Sequence, residues 1–168
     1  MKSLLANPDG SINWEKIRHD YPKVADNQLN ATAMMHQMEA LEHRNNPLWI
    51  AYYGALQTLQ ARSIFNPLEK LQLTKRSQET LARAVALDPE NPEIRFLRFS
   101  IQLGLPTYLN LSHHLAEDRR IICEKLPLAA QNKALPLHHI HKIASFMLRE
   151  GKLEPTQKVV MENLLTQL

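Results

Sequence analysis

Asn91-Pro-Glu-Ile-Arg-Phe-Leu-Arg-Phe-Ser-Ile-Gln-Leu-Gly104 reads as a complete helix with its own start and stop. Asn91 is suited to cap the first free N–H groups, and Pro92 takes the first helical position, where its missing N–H costs nothing and its φ is already set. Gly104 supplies the stop, and Pro106 resets the chain. Between them Ile94, Phe96, Leu97, Phe99, Ile101 and Leu103 wrap nearly every face, the pattern of a helix enclosed by other structure. One narrow polar line remains. At ~100° per residue, Arg98 lies about 60° and Gln102 about 20° from Arg95.

The same Asn-Pro punctuation recurs at Asn7-Pro8, Asn46-Pro47 and Asn66-Pro67. The last two precede helical patterns. Pro47 opens an uncharged stretch to Ala61, with Trp49, Tyr52, Tyr53, Leu56 and Leu59 around it, and Gly54 permits a close helix crossing. Pro67 opens an amphipathic helix to Leu87, with Leu68, Leu71, Gln78, Leu81, Ala82 and Val85 predicted inward. Before these, Ser11 or Asn13 caps a short helix carrying Trp14, Ile17 and Tyr21 that Pro22 stops or kinks. A second helix is predicted over 25–43, with Leu29, Ala33, Met34, Met38 and Leu41 at helical spacing. Downstream, Ser112 is a cap for a helix to about Lys125, ended by Pro127, and 129–135 reads as a loop. Helices over 137–149 and 155–167 complete the chain. The last presents Val159, Val160, Met161, Leu164 and Leu165 as a broad docking face.

About seven to eight helices therefore make up an all-α chain, predicted as a single domain over 1–168 with residues 1–10 as a flexible lead. Composition agrees, since 168 residues can bury a core unaided, and 4 Gly with 6% aromatics suit no all-β protein. Basic and acidic residues number 10 and 8 in 1–84 and 10 and 9 in 85–168, so no basic arm exists and nucleic acid is not an expected partner. The uncharged stretch is short of the ~20 apolar residues of a membrane span. Ser3 to Ala6 is too short for the apolar region of a signal peptide. Cys123 has no second cysteine to pair with and reads as a buried thiol among Ile121, Ile122 and Leu126. A cytoplasmic location is the simplest expectation.

Ala84-Val-Ala-Leu-Asp-Pro-Glu-Asn-Pro92 resembles the junction between tetratricopeptide repeats, an A-x-x-L-D-P-x-N run joining the second helix of one repeat to the first of the next. Leu81 and Ala84 fall at that repeat's inward positions and Pro89 at its closing proline. Counting on from Pro92, its tryptophan, leucine and glycine positions are Arg95, Arg98 and Phe99, and no second copy appears at a ~34-residue period. Tyr52-Tyr-Gly-Ala55, Asn66-Pro67, Leu87-Asp-Pro89 and Glu93 to Arg98 also resemble a small bacterial family of TPR-like proteins with no known activity. The resemblance implies an irregular stack of antiparallel helical hairpins, a fold that usually presents a groove to a protein or peptide.

Two arginines on an enclosed helix must be paired with carboxylates or face a groove, because an unpaired buried charge is prohibitively costly. Pairing points to Asp118 or Glu117 on the following helix. A groove would instead offer Arg95 and Arg98 as forks for a partner's carboxylate, with Gln102 in line and Tyr52 or Tyr53 as an aromatic wall. Arg95, Arg98, Gln102, Tyr52, Tyr53 and Asp118 are accordingly the candidate partner-binding residues.

The histidines at 113, 114, 138, 139 and 141 invite a metal, and His138 and His141 share a helix face. No third ligand, H-E-x-x-H or paired-Cys motif completes a site, so no metal or cofactor is expected. Ser100, His114 and Asp118 can be assembled into a triad only on paper, since no G-x-S-x-G elbow or phosphate-cradling Gly loop exists. Glu15, Glu39, Glu42, Glu79 and Glu117 read as solvated helix faces. The expected function is a non-catalytic interaction or scaffolding module with an Arg-lined groove for a protein or peptide, acidic groups included. The alternative is a small-molecule binder or enzyme with a pocket between helices.

Overall fold

A computed structural model describes residues 3–41, 43 and 45–168. Glu42, expected on a solvated face near the end of the 25–43 helix, lies outside the described residues, as do Met1 and Lys2 in the lead expected to be flexible. Among the described residues the protein is all-α, with eight α-helices and one 3-10 turn. The helices gather into two compact units, Met1–Leu87 and Asp88–Leu168.

The first unit holds α1 (Trp14–Ala25), α2 (Ala31–Glu39), α3 (Pro47–Ala61) and α4 (Pro67–Leu87). The segment before α1 is pinned: Asn7 N donates to Ser11 O at 2.8 Å, Asn13 N to Leu5 O at 2.8 Å, and Leu5 is buried. Asparagine side chains start these helices as their positions imply. Asn13 accepts from Lys16 N, Asn46 from Leu48 N and Trp49 N, and Asn66 from Leu68 N and Glu69 N.

Pro22 neither stops nor ends α1, which runs three residues beyond it and buries Val24. The predicted 25–43 helix begins later. Asn27 takes the left-handed conformation at φ 60°, and Asn30 caps a new start by accepting from Ala33 N. Met34, Met38 and Leu41 are buried as predicted and Met35 joins them, while Leu29 and Ala33 are left exposed.

In α3 ten residues are buried, as an enclosed helix requires. A Cβ on Gly54 would lie 3.0 Å from Thr80 Cγ2 and 3.1 Å from Leu81 Cγ, so glycine permits the close crossing with α4. Thr74 and Ser77 face inward on α4, while Leu68 is exposed. Ser77 donates its hydroxyl to Gly54 O at 2.6 Å and accepts from Thr58 at 2.6 Å.

The second unit holds α5 (Pro92–Leu103), a 3-10 turn (Thr107–Leu109), α6 (Leu115–Gln131), α7 (Leu137–Glu150) and α8 (Pro155–Gln167). Phe99 of α5 is fully buried in a core with Ile122, Leu126, Ile143, Met147 and Met161. Phe96 meets Phe146 of α7 edge-on at 5.1 Å.

Pro127 lies inside α6, where a helix end was predicted. An internal proline removes a hydrogen bond and costs ~3 kcal/mol locally. Burial of Leu126 and Ala129 in the core offsets that cost and carries the helix to Gln131, through the first three residues of the predicted 129–135 loop. Ser112 does not cap α6, since its hydroxyl donates to Gln102 O at 2.7 Å. On α8 only Met161 and Leu164 are buried, while Val159 and Val160 are exposed, so the docking face is narrower than its composition suggests.

Candidate functional site

The polar line on α5 meets the first turn of α6, where Glu117 and Asp118 sit. Carboxylates are favoured there by the partial positive charge of the helix N-terminus. Asp118 is fully buried and receives both arginines. Arg98 grips it with two parallel bonds, Nε to Oδ2 at 2.8 Å and Nη2 to Oδ1 at 2.7 Å, and Arg95 Nη1 donates to Oδ1 at 3.0 Å. The half-exposed Glu117 closes the outer side, 3.0 Å from Arg95 Nη1 and 3.5 Å from Arg98 Nη2. Its hydrogen bond from Arg95 holds the Glu117 carboxyl below the usual range, against a smaller opposing effect of burial.

Arg95 also donates Nε to Pro89 O at 2.7 Å, which ties the Asp88-Pro89 turn to the helix it introduces. Gln102 continues the line, accepting at Oε1 from His114 N at 3.0 Å and bracing the approach to α6. Arg95, Arg98, Gln102 and Asp118 thus come together as a buried clasp between α5 and α6. The side chains of Arg95 and Arg98 are 5% and 4% exposed, and their forks are occupied by the protein's own carboxylates.

The two tyrosines belong to the first unit and differ from one another. Tyr52 is a core residue, 1% exposed, with Trp14 at 6.3 Å and Tyr21 edge-on at 5.4 Å. Tyr53 is half-buried and stacks on Trp49 at 4.8 Å with 10° between the rings. Trp49 is held in turn by its Nε1 bond to Met38 O at 3.1 Å. The Tyr53 hydroxyl donates to Glu39 Oε1 at 2.5 Å, so Glu39 is a partner and not merely a solvated carboxylate. Tyr53, Trp49, Glu39, Thr80 and Arg83 line an open hollow of about 210 Å³.

Sequence patterning did not reveal a second, larger hollow of about 450 Å³ at the opposite ends of α2 and α3. It forms where Asn27 breaks the chain direction, a feature absent from a continuous 25–43 helix. Beside it, Gln60 Nε2 donates to Thr32 Oγ1 at 2.9 Å.

His138 and His141 are exposed, and no group of three metal-capable side chains occurs among the described residues. His139 instead turns inward, placing Nε2 2.9 Å from Oε1 of the buried Glu93, an ion-pair distance without the direction of a good hydrogen bond. Its four-residue register with Ile143 and Met147 was the sequence signal for this orientation. The Ser100 hydroxyl donates to Leu97 O within its own helix, and Asp118 is committed to the arginines, so the drawn triad does not form.

Among known proteins, no family model, curated protein or solved structure matches the chain.

Proposed function

We propose that this chain is a non-catalytic protein- or peptide-interaction module, a TPR-like stack of hairpins whose contact surface is the α2–α3 seam. The observation carrying this is that two open hollows flank one seam, each beside a polar rung joining the helices. One rung is Tyr53 to Glu39 and the other Gln60 to Thr32. Seven residues separate the rungs on each helix, which places both on one face and about 10 Å apart. Between them on the same face of α3 lies Gln57, whose Oε1 is buried with no donor among the described residues.

The seam combines an aromatic wall, buried aliphatic floors and several polar groups, as protein interfaces do. Arg95 and Arg98 act in this proposal as an internal brace, and the groove function moves to Tyr53 and its neighbours. No helix among the described residues is long and apolar enough to cross a membrane. We place the protein in the cytoplasm as part of this proposal; Cys123 is compatible with it, a buried free thiol whose pKa burial pushes up to about 11, which suits a structural and unreactive role.

The competing small-molecule function draws on the volume of the larger hollow, which falls within the ~300–1,000 Å³ of ligand pockets. Binding experiments on the full chain separate the two. Peptides selected from a displayed random library should shift amide resonances of Thr32, Glu39, Tyr53, Gln57 and Gln60, and Tyr53→Ala should abolish their binding while the fold melts cooperatively. A chain that selects no peptide yet binds fragments in the larger hollow would overturn the interaction module in favour of the small-molecule function.

A further inference from the structure

The larger hollow has an uneven chemistry. Its lining includes the buried Val24 and Leu59, the amides of Asn27, Asn30 and Gln60, and one ionisable side chain, Arg62. Among the described residues no carboxylate lines it. Arg62 is held at the rim by one bond, Nη1 to Ala25 O at 2.8 Å, and its guanidinium has no other partner among the described residues. A guanidinium carries five N–H donors in a rigid fork, so this single bond orients the group and leaves donors to spare.

We infer that this hollow receives a carboxylate carried by the bound peptide or protein, with Arg62 as its counter-charge; the inference rests on the interaction function proposed above. A cationic side chain would meet Arg62 with nothing to neutralise it. A dianionic phosphate would find one cation where two charges need balancing. A carboxylate matches the fork in charge and in planar geometry. The neighbouring amides supply further N–H donors, and the Val24–Leu59 floor accepts the methylenes of an acidic side chain. The acid-receiving role assigned from sequence to Arg95 and Arg98 thereby passes to an arginine that lines open space.

The test uses the full chain and a library-selected peptide containing one glutamate, synthesised with an amidated C-terminus. Its Glu→Gln analogue, a free-C-terminus version of that analogue, and Arg62→Gln protein complete the set. The expected result is that Arg62→Gln weakens the glutamate peptide about tenfold and the Gln analogue by less than about twofold. Arg62→Lys should restore part of the loss. Arg62 is exposed, so equal thermal midpoints of the variants and the parent are expected. Coupling seen only with the free C-terminus would support the same carboxylate site and identify the chain end as its source. Peptides that bind the seam with equal sensitivity to Arg62→Gln, whether acidic or not, would overturn the carboxylate site and leave the interaction function standing. Failure to select any seam-binding peptide would remove both.

Discussion

Asp118 is the residue on which the second unit's charge balance turns. With its carboxylate buried against two guanidiniums, removing either side leaves an uncompensated charge in a medium that solvates it poorly. Asp118→Asn and Arg98→Ala should each destabilise this unit by ~3–5 kcal/mol, read from urea unfolding followed by circular dichroism. Loss of less than about 1 kcal/mol in both would show that the clasp is dispensable.

Glu117 contributes to the same clasp from a half-exposed position, so solvent screening limits its share to less than about 1 kcal/mol. Its folded pKa is depressed relative to the ordinary value of 4.5, with the Arg95 hydrogen bond as the leading cause. A depressed carboxyl binds its proton more weakly in the folded state than in the unfolded chain. Its contribution is therefore complete above the ordinary value and disappears as pH falls below 4.5 through the folded one. Stability of Glu117→Gln relative to the parent, measured from pH 7 to pH 3, should show a deficit that shrinks on acidification. A deficit constant with pH would remove Glu117 from the acid response.

At the scale of the element, α1 and α6 show why proline was a poor predictor of helix ends. Pro22 and Pro127 each forfeit a backbone hydrogen bond, yet residues beyond them, Val24 in one case and Ala129 in the other, are buried. Local propensity cannot weigh that gain, because the surface that buries these residues comes from distant chain segments. Pro127→Ala should restore the missing donor without a new clash and raise stability by ~1–3 kcal/mol, checked by the thermal midpoint. A fall in the midpoint would mean that the ring itself is packed to advantage. Capping is the opposite case. Asn46, Asn66 and Asn91 each start a helix at the predicted place, since the side chain and the N–H groups it satisfies are only two or three residues apart.

Across the whole molecule, packing gathers into halves on either side of the Leu87-Asp88 bond. The sequence pattern suggests one domain over 1–168, and two compact units within the chain are compatible with that, since helical periodicity reports which face is buried and not which helices share a core. Separate chains of residues 1–87 and 88–168 should each show helical circular dichroism and a cooperative thermal transition. A fragment that stays unfolded alone would establish that its unit depends on the rest of the chain.

Helix content, most helix starts, the enclosed character of α3 and α5, and the need for Arg95 and Arg98 to meet carboxylates or face a groove were all legible from the residues. Each depends on contacts within a few positions or on the prohibitive cost of a bare buried charge. Packing alone settled where that requirement was met: the α5 line closed on Asp118 and Glu117, while Tyr52 entered a core and Tyr53 kept an open side. Periodicity names an inward face but not the element opposite it, and a hollow is the space that several such faces leave between them.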